Sequence, residues 1–239
     1  MIRSRVGKLG LCAIVLGVMA VSASSAQALS WLILNATQTT ATELKAALVM
    51  ETDSTDLTLS TKEVGIRFVV TCTNTEAIGI NLEVGGKLTE GGKIKFTGCE
   101  AYETAPLTGA LSCHIHSAGQ PAGTVLTAEG KGELVLHEIK AGEKEVLVKI
   151  EPKTGTTLAS FLTEKCVVPE TNPVNGKLFL RDCEKAATVH QNRHLIEQGP
   201  LTSLFVGADT AEHLETSLSG SVWWRLGAAH LGLHFGAML

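Results

Sequence analysis

Aromatic side chains are scarce in this chain. Its 239 residues include one tyrosine, Tyr102, six phenylalanines and three tryptophans, 4% in all. Sugar-binding surfaces and outer-membrane barrels both rely on rings, for stacking or for interfacial girdles, so both classes lose support. Long apolar runs are missing too. The stretch Leu9–Val21 has 13 residues, too short to cross a bilayer as a helix, and later apolar runs are interrupted by Gly, His or charge. No two cysteines have C-x-x-C spacing, which argues against a zinc ribbon or a thioredoxin-type redox site.

What precedes and follows Leu9–Val21 gives that run a meaning. Arg3, Arg5 and Lys8 supply the positive charge of an n-region, and SASSAQA closes on Ala26-Gln27-Ala28. The pattern predicts a cleavable export signal over residues 1–28, with the working chain starting at Leu29. Cys12 does not make it a lipoprotein signal, because Leu11 stands where a small residue is needed. Arg3 and Arg5 are separated by Ser4, so no twin-arginine pair exists. The product is expected to be secreted or associated with the cell envelope, with no transmembrane helix.

The first 28 residues contain three basic and no acidic side chains. Removing those three from the chain's 20 Lys and Arg leaves 17 against 24 Asp and Glu, a net charge of −7. Such a surface lacks the basic footprint that phosphate binding requires, so nucleic acid is not expected as a partner. An envelope or extracellular partner fits the destination better.

Period-two alternation dominates what remains and predicts half-buried strands. Ile66, Phe68, Val70 and Cys72 share one face, as do Ile94 and Phe96, Leu111, Cys113 and Ile115, and Val146, Val148 and Ile150. At the C-terminus Leu231, Leu233, Phe235, Ala237 and Leu239 alternate with His230, Gly232, His234 and Gly236, which predicts a strand integral to the sheet. Glycines punctuate the gaps. The expected fold is all-β, an antiparallel sandwich or barrel of many short strands. Two short helices are expected at most: Ala41–Met50, whose Leu48-Val49-Met50 equally suits a strand, and Thr188–Gln198. Residues 29–239 read as one β-rich domain. The similarity of GKIKFTGCE (92–100) to GKLFLRDCE (176–184) is compatible with two related units that break near residues 152–155.

The strings GGKLTEGGKIKFTGCE (Gly85–Glu100) and GTVLTAEGKGELVLHE (Gly123–Glu138) resemble a group of uncharacterised exported bacterial β-rich proteins. The likeness spans about Cys72 to Cys166. It implies secretion and a β fold and brings no activity, cofactor or site.

The five cysteines after residue 28 are Cys72, Cys99, Cys113, Cys166 and Cys183. In an exported protein they are read first as disulfides. Short loops favour Cys99–Cys113 and Cys166–Cys183, leaving Cys72 as the odd thiol.

Familiar catalytic patterns fail one by one. There is no G-x-S-x-G, Gly86-Lys87 and Gly92-Lys93 are followed by Leu88 and Ile94 rather than Ser or Thr, and His137-Glu138 lacks the second histidine because Ala141 stands in its place. His114 and His116 have chelating spacing on one strand face. With no third ligand in the sequence they read as solvent-facing strand residues, so no metal or other cofactor is expected. His190 and His194 would be neighbours only on a helix, and His230 and His234 stand too far apart on a strand to chelate directly. Carboxylates are scattered, and Trp223-Trp224 should send one ring to the core and the other outward. The expectation is a non-catalytic β protein that acts by binding or structure. The alternatives are a secreted hydrolase with an unrecognised site, which would show a cleft with converging groups, and a carrier, which would show a large apolar cavity.

Overall fold

The computed structural model describes residues 29–34, 41–43, 48–62, 67–105, 109–164, 171–181, 192–196, 203–206, 214–227, 230 and 233–238. The expected signal therefore lies outside the described residues. Eighteen strands occur here, every named pairing is antiparallel, and the described residues contain no α-helix.

β1 (Ser30–Leu34) runs between β2 (Ala41–Glu43) and β18 (His234–Met238) in a three-stranded sheet. All other strands belong to one connected system. β3 (Leu48–Lys62) is its long spine, pairing with β4 (Arg67–Cys72), with β6 (Asn81–Glu83) and, along most of its length, with β17 (Leu214–Leu226). β7 (Lys87–Thr97) pairs with β6, with β5 (Asn74–Ile78), with β10 (Val125–Leu126) and with β11 (Gly130–Lys140). β11 and β12 (Glu143–Pro152) form a long hairpin around Ala141-Gly142. From β4 the path continues through β8 (Glu100–Ala105), β9 (Gly109–His116), β13 (Thr157–Glu164) and β14 (Thr171–Leu180). β16 (Ser203–Val206) links β14 to β17, and β15 (Asn192–Ile196) pairs farther along that same edge of β17, opposite β3.

The pairing returns on itself. β14 joins β13 through its first half and β12 through Leu178–Leu180, so the circuit from β12 through β7, β3 and β9 closes. Closure gives edge strands partners that they would otherwise seek in another chain. Strands on both sides of residues 152–155 thus lie in one sheet system.

The interior follows the alternation. Val70, Cys72, Ile94, Ile115, Val146, Val148 and Ile150 are all buried in one apolar cluster that extends from Trp31 to Ala237. Trp31 (1% exposed) meets Phe235 (0%) edge to face at 6.0 Å between ring centroids, and its Nε1–H donates to the Lys87 carbonyl at 2.9 Å. That hydrogen bond ties the three-stranded sheet to β7. Gly86 permits the same junction: its φ is +72°, and a Cβ there would stand 2.5 Å from the Leu29 carbonyl oxygen. β12 is buried on both faces over Glu145–Val148, with Leu147 and Phe179 covered apart from the main cluster.

The C-terminal strand is integral, as its alternation predicts. His234–Met238 pairs with Ser30–Leu34, and Phe235 and Ala237 are buried. Leu231 and Leu239 lie outside the described residues. Where the two candidate helices are described they are strand, and Leu48-Val49-Met50 takes the strand alternative. Ala41–Glu43 is β2 and Leu48-Val49-Met50 opens β3, while Asn192–Ile196 of the second segment is β15. Helices of about ten residues are marginal on their own, and β1, β6 and β17 offer these segments ready ladders.

Candidate functional site

The hairpin β11–β12 carries the most organised set of charges. Lys131-Gly132-Glu133 and Lys149-Ile150-Glu151 run antiparallel, so Lys131 faces Glu151 and Glu133 faces Lys149. Lys149 Nζ stands 2.5 Å from Glu133 and 3.4 Å from Glu151. Lys131 reaches Glu151 at 3.4 Å, and Lys177 of β14 reaches it at 3.1 Å. Glu151, 16% exposed, is thus held by three ammonium groups. Burial pushes its pKa up, but Lys177, Lys149 and Lys131 outweigh burial and hold it below the ordinary carboxylate value. The hydrogen bond to Glu133 raises Lys149, against the desolvation that would lower it.

Two grooves flank this network. One of about 460 Å³ runs over Glu83, Lys87, Glu90, Glu133 and Lys149, and one of about 270 Å³ lies among Lys131, Lys153, Thr156 and Lys177. A carboxylate kept ionised by three lysines is not poised to exchange protons near neutral pH. What it can do is lock three strands together. Sequence reasoning did not single these residues out, yet the signal was present: K-x-E on each arm of a hairpin pairs Lys with Glu when the arms run antiparallel.

Among the described residues, a small gap of about 90 Å³ in the apolar interior is lined by Val70, Ile94, Phe96, Val125, Leu158 and Phe161 among others. Ligand pockets usually span about 300–1,000 Å³.

His114 and His116 lie on β9, His114 exposed and His116 half-buried. The neighbouring strands set Glu100 and Glu164 directly opposite His114. Glu100 accepts a hydrogen bond from the Tyr102 hydroxyl, which raises the pKa of that phenol. Among the described residues, no three His, Cys, Asp or Glu side chains are grouped closely enough to hold a metal ion. His194 sits in β15, a strand, so it has no helical neighbour at position 190, which itself lies outside the described residues. Trp224 is buried, as one ring of the pair should be.

The disulfide expectation is corrected. Cys72 is bonded to Cys99, which removes Cys72 as the odd thiol and Cys99 as the partner of Cys113. Loop length misled here because strand register decides: β8 and β9 set Cys113 opposite Ala101, not Cys99. Cys166 and Cys183 lie outside the described residues.

No protein-family model matches the chain, nor does any curated protein or solved structure. No helix among the described residues is long and apolar enough to cross a membrane.

Proposed function

We propose that this chain is an exported β protein, secreted or held at the cell envelope, that acts through its outer surface by binding or as a structural element and not by catalysis. The observation that carries this reading is the division of its side chains. The interior is filled with apolar groups around a gap of about 90 Å³, too small for a lipid-sized guest. The best-ordered charges, centred on Glu151, are committed to one another across β11, β12 and β14. A carrier would need a larger chamber, and a hydrolase would need a carboxylate or histidine free to exchange protons with a substrate.

Export is supported by the basic start, the 13-residue apolar run and the Ala26-Gln27-Ala28 site. The test is fractionation of the producing cells followed by N-terminal sequencing. The extracytoplasmic protein should start at Leu29, and recovery of Met1 on that fraction would sink the export reading.

A further inference from the structure

The bend that joins β12 to β13 leaves backbone donors open. Residues 153–156 are exposed, and Gly155 is left-handed at φ +68°. The N–H groups of Thr154, Gly155 and Thr156 have no hydrogen-bond partner among the described residues. Successive N–H groups around a left-handed residue form a concavity that takes an anion.

Ammonium groups from three elements surround the same place. Lys131 of β11, Lys153 of the bend and Lys177 of β14 line the groove of about 270 Å³ together with Gly155 and Thr156. Among the described residues that line it, one is acidic, Glu151. Glu151 does not cancel the lysines. It carries one negative charge and meets Lys131, Lys149 and Lys177; Glu133 matches Lys149, which leaves Lys131 and Lys177 sharing a single carboxylate. Lys153 stands 3.8 Å from Glu129, with both side chains about half exposed, so water and salt screen that pair. The groove is thus locally cationic on a chain whose net charge after residue 28 is −7.

We propose that this groove binds a single oxyanion of the phosphate class, held by Lys131, Lys153 and Lys177 and by the N–H groups of the bend. Glu151 is a positioning residue that keeps Lys131 and Lys177 at the rim. The proposal rests on the reading of a protein that works through its outer surface, and it names the chemistry of what that surface takes. Lysine serves such a group as a point charge. The volume suits one charged group and its linkage, below the about 300–1,000 Å³ of pockets that enclose a whole ligand. A single phosphate is also all that one groove can neutralise, so the site does not make the surface a nucleic-acid binder.

The test is calorimetric titration of inorganic phosphate and of glycerol 1-phosphate into the purified protein with its disulfide intact, at low ionic strength. Lys153→Gln, Lys177→Gln and, from the neighbouring groove, Lys87→Gln are titrated beside it. One equivalent should bind saturably and weaken as salt rises. Lys153→Gln and Lys177→Gln should each bind about tenfold more weakly, the loss of one charged hydrogen bond, while Lys87→Gln binds like wild type. Lys153 lies on an exposed bend, so its variant should keep the wild-type melting temperature. A tighter hold on glycerol 1-phosphate assigns the group to an ester on an extracellular polymer, and a tighter hold on inorganic phosphate assigns it to the free anion. No saturable binding of either probe, full affinity in Lys153→Gln, or an equal loss in Lys87→Gln would overturn the site. The outer-surface reading fails separately, through an apolar ligand retained inside the protein.

Discussion

Cys72 and Cys99 are opposed residues on a single antiparallel ladder, and their sulfurs are bonded. Arg67 faces Thr104 and Thr71 faces Glu100 on one side of the pair; Asn74 faces Thr97 and Ile78 faces Lys93 on the other. The register is unchanged across the bond. β4 and β5 thus form one bent arm and β7 and β8 the other, with the disulfide at the bend. Thr73 N–H donates to the Thr97 carbonyl at 3.2 Å, and Gly98, at φ +62°, lies against Thr73, whose Oγ1 a Cβ would strike. The disulfide fastens the ladder where it turns.

Non-reducing peptide mapping should therefore recover Cys72 linked to Cys99. The bond closes a sequence separation of 27 residues, for which chain entropy gives about 3–4 kcal/mol. Cys72→Ser or Cys99→Ser should lower unfolding stability by that order in denaturant titrations. A Cys99–Cys113 peptide would contradict the ladder.

Acid should weaken the protein through Glu151. Its folded pKa is depressed below the ordinary 4.5, so its stabilisation is present above that value and is lost as pH falls through the depressed one. Lys149 is raised above 10.5, so its share is present below that value and is lost at still higher pH. Glu151→Gln should cost about 1.5–3 kcal/mol at neutral pH, in the range of hydrogen bonds to charged groups. Its deficit should shrink in the acid limb, a comparison made by urea melts across pH.

Phe235→Ala should cost about 3–5 kcal/mol, the usual range for emptying a buried aromatic site. Phe235 is fully buried against Trp31 on the strand that pairs with β1. Thermal melting and near-ultraviolet circular dichroism, which reports the Trp31 environment, should change together. An unchanged melt would show that β18 contributes little to the core.

Gly86→Ala should destabilise although it adds only a methyl group. The residue has positive φ, and its Cβ position is 2.5 Å from the Leu29 carbonyl oxygen. Gly85→Ala makes the informative comparison: φ is +77° there, but nothing lies within 4 Å of its Cβ position. In parallel denaturant melts the Gly86 variant should lose more than the Gly85 variant.

The alternation of Val146, Val148 and Ile150, and of Phe235 and Ala237, was legible because a two-residue period needs only local sequence. The segment at Asn192–Ile196 was not, since its pairing with β17 is a long-range event that overrides local preference. The same limit explains the cysteines. Cys72 faces Cys99 because of a register carried by residues 67–78 and 93–104, whereas loop length ranks pairs only by nearness in the chain. Glu164 could not be joined to His114 and His116 from sequence either. It lies 48 residues beyond His116 and becomes a neighbour only when β13 pairs with β9. The Glu151 network was legible in principle, from two K-x-E strings in a hairpin.

The proposed surface role is tested most directly by native mass spectrometry of the protein recovered undenatured from its producing cells. The account predicts the polypeptide carrying its disulfide, with no apolar small molecule retained; a stoichiometric adduct of fatty-acid or sterol size would place a ligand inside the β structure and contradict it.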